Sequence, residues 1–434
     1  MKNVFVIGLD ERNLPILRRT PTGQNCRFHQ LLTLEELQVG EVDIEELLTK
    51  AERILDDFDG GVDAIVGYWD FPVTLLVPIL CSRRGLPSSS LDSFVRCEHK
   101  YWSRLLQSEV IDEYPPFALV DLNEDRPSPP KNVDYPMWLK PVKSASSELA
   151  YRVDDDETFH AAVARLRQGV GRIGRPFEQI LDRVDLPEEI SSVGGGMALA
   201  EAALHGVQAA VEGYVHKGEV VVYGVLDSVD YPGSSVFLRH QYPSELPEEV
   251  CRRMREVAVR TIGHMGIDNA TFSIEFFHDP VEDGLNVLEI NTRHSQSHAE
   301  LFEMVDGVSN HERMLRLAFG QDPALPSDAR GEFQVAAEWY YRRFDDGVVR
   351  RVPTAQEVTE LEESLPGVKI TIVPGEGERL SQLQAQDSYS YELAKIVIGA
   401  EDETEMRAKY ERCVEALKFE FEEVDGPSDK LTEH

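Results

Sequence analysis

The chain has 434 residues, more than one hydrophobic core usually organises, so its length points to two to four compact units. Its 78 acidic residues against 44 basic ones give a formal net charge of −34, which repels nucleic acid and anionic lipid and fits a salty habitat as well as an ordinary one. No stretch of about 18 uncharged apolar residues occurs, and the start turns polar after one strand-length apolar burst, so the expectation is a cytoplasmic protein with neither membrane span nor signal peptide. Cys26, Cys81, Cys97, Cys251 and Cys413 are scattered without a CxxC pair, which reads as reduced structural thiols.

In chain order, "NVFVIG" predicts a buried strand, and "VDAIVGYWD" predicts another that leads into the helical run "FPVTLLVPILCSRRGLP". Residues 1–96 therefore read as an open α/β unit. The first strand is followed by "GLDERN" and not GxGxxG, so the phosphate turn of a dinucleotide fold is absent. Asp70 ends the second strand on the side where open α/β sheets bind ligands, which makes it a candidate substrate contact. Pro-rich connections at 121–136 and 320–331 bracket an α+β region of antiparallel strands, with a clear helix in "LPEEVCRRMREVAVRTIGHMG". Residues 331–434 mix strands with a charged amphipathic helix and read as a smaller capping domain.

The chemistry concentrates in "NVLEINTRHSQSH". Alternation along a strand points Glu289, Asn291 and Arg293 the same way, and the preceding strand "FSIEFFHD" carries Glu275. Antiparallel pairing can place Glu275 beside Glu289. Two carboxylates and an amide oxygen are hard ligands suited to Mg²⁺ that bridges nucleotide phosphates, and Arg293 is placed to hold a phosphate or a developing charge.

The stretch "SIEFFHDPVEDGLNVLEINTRHSQSHAELFEMVDGVS" resembles the metal-binding end of the ATP-grasp superfamily, with an acid on one strand and E-x-N-x-R on the next. The resemblance covers about residues 62–400. It implies a multidomain α/β and α+β fold: a pre-ATP-grasp domain at 1–96, an ATP-grasp domain at 97–330 with a lid at about 135–210, and an α+β cap at 331–434. It further implies that Lys100 in "RCEHKYWSR" and Lys140 in "WLKPV" meet the α and β phosphates, and that Ser146 and Ser147 of "KSASSE" belong to the phosphate-covering loop. Two frames fit the adenine hinge, Glu201 to Gln208 and Glu212 to Glu219. The second is preferred: Glu201 lies in an Ala-rich, helix-like run, whereas Glu212, followed by Tyr214 and Val215, extends from a strand and leaves Glu219 for the ribose. Arg239 and His240 stand where family members place a cation toward the transferred phosphate. Neighbours on a strand face opposite ways, so only one points inward, and similarity to L-amino acid ligases favours His240. His294, Ser295 and His298 are expected at the acceptor pocket.

The family activates a carboxylate as an acyl phosphate with ATP and Mg²⁺, Mn²⁺ being an alternative, and lets a nucleophile displace phosphate. The resemblance implies small-molecule carboxylate and amine partners, and a homodimer, as in many relatives. Biotin carboxylase is also similar, but the acid that serves there as base just before a histidine is Ser297 here, and a hydroxyl does not replace it. The glycine-free loop "KSASSE" leaves a second alternative, an ATP-binding module without turnover. The expectation is a carboxylate-amine ligase close to the L-amino acid (dipeptide) ligases.

Overall fold

The computed structural model describes residues 1–144, 149–234, 236–326, 329–383 and 390–423. Strands β1 (Lys2–Ile7), β2 (Cys26–Leu32) and β3 (Ala64–Val66) form a parallel sheet in the order β2-β1-β3. Val4, Val6, Ala64 and Val66 are sealed in its core, as expected of short apolar strands in a parallel sheet. A second sheet, β4-β7-β5-β6, is antiparallel and uses β4 (Phe117–Val120), β5 (Met137–Pro141), β6 (Tyr151–Val153) and β7 (Ala198–Ala202). The helix Asp156–Gly169 presents Phe159, Ala162, Val163 and Leu166 to the apolar face of this sheet. The Ala-rich run around Glu201 is thus a strand. Alanine's helix preference is worth tenths of a kcal/mol per residue and yields to pairing on both sides with β4 and β5.

The chain continues through β8 (Val207–His216), β9 (Glu219–Asp230), β10 (Phe237–Tyr242), β11 (Ala270–Asp279) and β12 (Gly284–Asn291), then β13 (Val335–Arg343), β14 (Val348–Arg351), β15 (Val368–Ile372), β16 (Tyr391–Ala400) and β17 (Glu420–Glu422). Where composition suggests three successive domains, the compact units are two and each is assembled from separate segments. The first takes residues 1–224, 247–296 and 311–324; the second takes 225–246, 297–310 and 325–434. In the first unit the order β12-β11-β8-β9 is antiparallel from β12 through β8. In the second, β10, β13, β16 and β15 pair antiparallel in that order over a core of Val335, Ala337, Trp339, Ile396, Ile398 and Met406. Among the described residues no helix is long and apolar enough to cross a membrane.

The turn from β7 into β8 depends on Gly206. Its φ is +112°, and a Cβ there would lie 2.3 Å from the carbonyl oxygen of His278. Gly206→Ala should therefore cost about 1–3 kcal/mol, read as a lower midpoint in thermal or urea unfolding.

Candidate active site

β11 and β12 pair so that Glu275 lies directly opposite Glu289, with Asn291 opposite Ser273. Asn291 Nδ2 donates to Glu275 Oε1 at 3.2 Å, and Gln208 Nε2, from β8, donates to Glu275 Oε2 at 3.0 Å. The two carboxylates differ in electrostatics. Burial and the facing Glu289 push the Glu275 carboxyl above its ordinary range. Glu289 is also opposed by burial, but Lys100 and Lys140 hold it below the ordinary range. The Lys100 ammonium ion-pairs with Glu289, so a cation already stands against this carboxylate. Among the described residues no group of three or more His, Cys, Asp or Glu is arranged as a metal cage. Two carboxylates and an amide fit a Mg²⁺ ion that takes its remaining ligands from phosphates and water.

Lys100 begins the helix Lys100–Ser108, and Lys140 lies on β5. The two are wired differently. Lys140 ion-pairs with Glu201 on β7, which Arg104 also meets, and these cations overcome burial to bring Glu201 down to about 2. Burial lowers Lys140 itself despite Glu201, with Lys100 and Arg104 adding repulsion. Lys100 is also penalised by burial, but Glu289 outweighs that and holds it above the ordinary range.

Residues 133–299 match the ATP-grasp domain family. The chain superposes on L-amino acid ligase from Bacillus licheniformis with a TM-score of 0.74 at 15% identity, over 97% of this chain and 99% of that one. It also superposes on phosphoribosylglycinamide synthetase from Anaerococcus prevotii, TM-score 0.64 at 12% identity, over 97% and 100% of the two chains. A third structure is the biotin carboxylase domain of Hydrogenobacter thermophilus 2-oxoglutarate carboxylase in complex with MgADP and bicarbonate, TM-score 0.66 at 15% identity, over 96% and 90%. No curated protein matches the chain by sequence. This is the ATP-grasp fold.

Within the ATP-grasp fold, the frame expected for adenine needs correcting. Glu212 does not offer a free backbone, because β8 is an interior strand between β11 and β9 and Glu212 pairs with Ser273. Its carboxylate accepts from Tyr223 Oη at 2.7 Å and from Ser295 N at 3.1 Å. Tyr214 and Val215 are buried in the same strand, paired with Thr271 and Ala270. Glu219 is exposed beyond the hairpin, roughly 20 Å along the strand from Ala210, which faces Glu275. The other frame is the one that assembles. Glu201 meets Lys140, Gln208 meets Glu275, and residues 203–206 link their two strands.

Arg293 packs against Asp70, with Nε donating at 2.8 Å and Nη2 at 2.6 Å to Asp70 Oδ1. Asp70 and nearby acids outweigh burial and hold the guanidinium above its ordinary range. Asp70 is thus brought to the motif, as a partner for Arg293. His294 begins a buried relay. Asn13 Nδ2 donates to both oxygens of Asp10, at 3.1 and 2.9 Å, which turns its Oδ1 toward His311 Nε2 at 2.9 Å. An amide oxygen only accepts, so His311 carries its proton on Nε2, and its Nδ1 accepts from His294 Nε2 at 2.8 Å. His294 Nδ1 then accepts from the Thr271 hydroxyl at 3.1 Å. Burial, then His294 and Arg12, hold His311 far below its ordinary range and keep the imidazole neutral. Tyr68 Oη closes the relay on Asp10 Oδ2 at 2.9 Å. His294 is a structural connector here and not an exposed acceptor group.

Sequence reasoning missed Glu98 and gave Lys143 no role of its own. These two form a buried ion pair, and Thr292, between Asn291 and Arg293, donates to Glu98 at 2.8 Å. The signal available was the charged "CEHK" and "VKS" flanking Lys100 and Lys140. Ser146 and Ser147 lie outside the described residues. In the second unit, Arg239 and His240 take opposite faces of β10. Arg239 is buried over Trp339, 4.6 Å from the ring centre, and ion-pairs with Glu403 at 2.9 Å. His240 receives Ser228 at 3.0 Å, and its ring lies 5.2 Å from that of His298. Burial, then His298, Arg342 and Lys395, hold His240 well below its ordinary range, so it is a neutral imidazole and not a cation.

Two outcomes follow from these charges. Because Lys140 sits below the ordinary lysine range, rising pH should discharge it before Lys100. The KM for ATP should therefore climb on the alkaline side, and Lys140→Arg should delay the climb, measured as KM against pH. Glu275 is raised above its unfolded value, so its ionised form costs the empty fold stability at pH above that value. Glu275→Gln should hold or raise the melting temperature at neutral pH, with the gain vanishing in acid, while turnover falls at least about 100-fold.

Proposed function

We propose that the chain is an ATP-dependent ligase that activates a small carboxylic acid as its acyl phosphate and joins it to an amine, releasing ADP and phosphate. The observation that carries this reading is the facing pair Glu275 and Glu289, with Lys100 on one of them. Glu275, Glu289 and Asn291 would hold Mg²⁺ or Mn²⁺, which supplies neutralisation of the triphosphate and a fixed orientation for it. Lys100 and Lys140 bind phosphate oxygens and exchange their carboxylate partners for the nucleotide. The loop 203–206 receives the adenine edge, and Gln208 lies toward the ribose. Arg293, aimed by Asp70, stabilises charge as phosphate is transferred to the substrate carboxylate and then displaced by the amine.

An amine is favoured over bicarbonate because Ser297 offers no carboxylate base. The likeness to L-amino acid ligase extends over 99% of that chain, which supports the same choice. The test is phosphate release in the presence of Mg²⁺ and ATP, screened over pairs of carboxylic acids and amines. Release should need both partners and should fall at least about 100-fold in Glu289→Ala. Undiminished release by that variant would remove the metal assignment. Release driven by bicarbonate alone would favour a carboxylase, and tight ATP binding with no turnover would favour a non-catalytic module.

A further inference from the structure

Three consecutive residues, Glu98, His99 and Lys100, fasten separate segments of the chain to one another. The Lys100 amide donates to the Val142 carbonyl at 3.0 Å. His99 Nδ1 accepts from Trp102 N at 3.1 Å, which leaves the ring proton on Nε2 to donate to the Val193 carbonyl at 3.0 Å. Glu98 ends the helix Leu91–Glu98 and uses both carboxylate oxygens. Its Oε1 accepts from the Thr292 hydroxyl at 2.8 Å, and its Oε2 pairs with the Lys143 ammonium. Burial opposes the Glu98 charge, but Lys143 and the Thr292 hydroxyl outweigh it and hold the carboxyl below its ordinary range.

Lys143 is enclosed as well as paired. Its Nζ lies 5.3 Å from the ring centre of Phe71 and 5.9 Å from that of Phe177. Phe71 directly follows Asp70, the partner of Arg293. Burying an ion pair gains a fold little, because desolvation cancels most of the attraction, so stability alone does not account for this one. Spacing does. Lys140 and the root of the expected phosphate loop belong to the sheet of β5, whereas Glu289 and Asn291 belong to the sheet of β12. No ladder hydrogen bond joins β5 to β12, and the pairs Lys100–Glu289 and Lys140–Glu201 are the ones a nucleotide would open. The Glu98 bridge survives that exchange. Thr292 stands between Asn291 and Arg293, so its bond to Glu98 fixes where both of them start.

We propose that Glu98 is a positioning residue: through Thr292 and Lys143 it holds the metal-binding end of β12 in place against the phosphate lysine of another sheet, so that Mg²⁺ and nucleotide bind cooperatively. The inference rests on the ligase reading only where turnover is measured; its binding arm does not need an identified substrate.

The experiment titrates ADP calorimetrically, with and without Mg²⁺, into the wild-type chain, Thr292→Val and Thr292→Ser. Valine keeps the side-chain shape and removes the donor, whereas serine keeps the donor and removes the methyl group. Wild type should bind ADP more tightly with Mg²⁺ than without it. Thr292→Val should lose about 10-fold or more of that gain, bind metal-free ADP as wild type does, and show kcat lowered about 10–100-fold with KM for acid and amine unchanged. Thr292→Ser should recover most of both losses. Removing Glu98 alone would strand the Lys143 charge and risk unfolding, so the pair is replaced together. Glu98→Gln with Lys143→Met should reproduce the Thr292→Val loss, and adding Thr292→Val should add little to it. A Mg²⁺-dependent gain that is absent in wild type or intact in Thr292→Val would overturn the proposal. So would a serine variant no better than valine, equal weakening of ADP with and without Mg²⁺, or losses that multiply in the triple variant. If no acid and amine pair releases phosphate while the Mg²⁺-dependent gain still follows the Thr292 hydroxyl, the ligase reading fails and the positioning role stands.

Discussion

Two glutamates face each other across an antiparallel ladder, and the rest of the site answers that repulsion. Glu275 and Glu289 sit in register by the pairing of β11 with β12, so neither can turn away without breaking the ladder. The protein resolves the conflict unevenly. Amides from Asn291 and Gln208 attend Glu275, while ammonium groups attend Glu289. Burial and the facing Glu289 still leave Glu275 resisting ionisation, whereas the ammonium groups let Glu289 ionise readily. A divalent cation between them would remove the conflict outright, so its binding would relieve a repulsion the strands enforce.

The same logic extends outward. Each charged side chain that would meet phosphate or substrate already has an internal partner: Lys100 has Glu289, Lys140 has Glu201 and Arg293 has Asp70. Such pairs hold the groups in place before any ligand arrives, so little reorganisation is left for the moment of reaction. They also make ligand binding an exchange of partners and not the creation of charge pairs in an empty cavity. Their contribution to stability is modest, because desolvation cancels much of the attraction.

The motif was legible because strand alternation and hairpin pairing are local rules. "NVLEINTR" and "FSIEFF" fix which side chains share a face, and the paired strands follow. The lysines were legible only through resemblance, since an isolated Lys140 carries no pattern. The Ala-rich "ALAEA" was misread as helix-like because it carries helix propensity, and only pairing with β4 and β5 overrides it. Pairing also buries Glu212 in an interior strand, which no local pattern announces. Asp70's link to Arg293, Glu98's link to Lys143 and the stacking of Arg313 on Tyr223 join residues far apart in the chain. Nothing in composition or periodicity encodes such meetings, because they follow from which elements the topology packs together.

The imidazole of His311 meets Asn13 across 298 positions of the chain. During synthesis from the amino end, Asn13 Oδ1 waits until His311 has left the ribosome before its native partner exists. The parallel strands at the amino end can gather earlier, but their polar edge matures late. Vectorial synthesis thus leaves this protein exposed for longer than one whose early segments complete themselves locally, and places its first domain in the care of its own distant sequence.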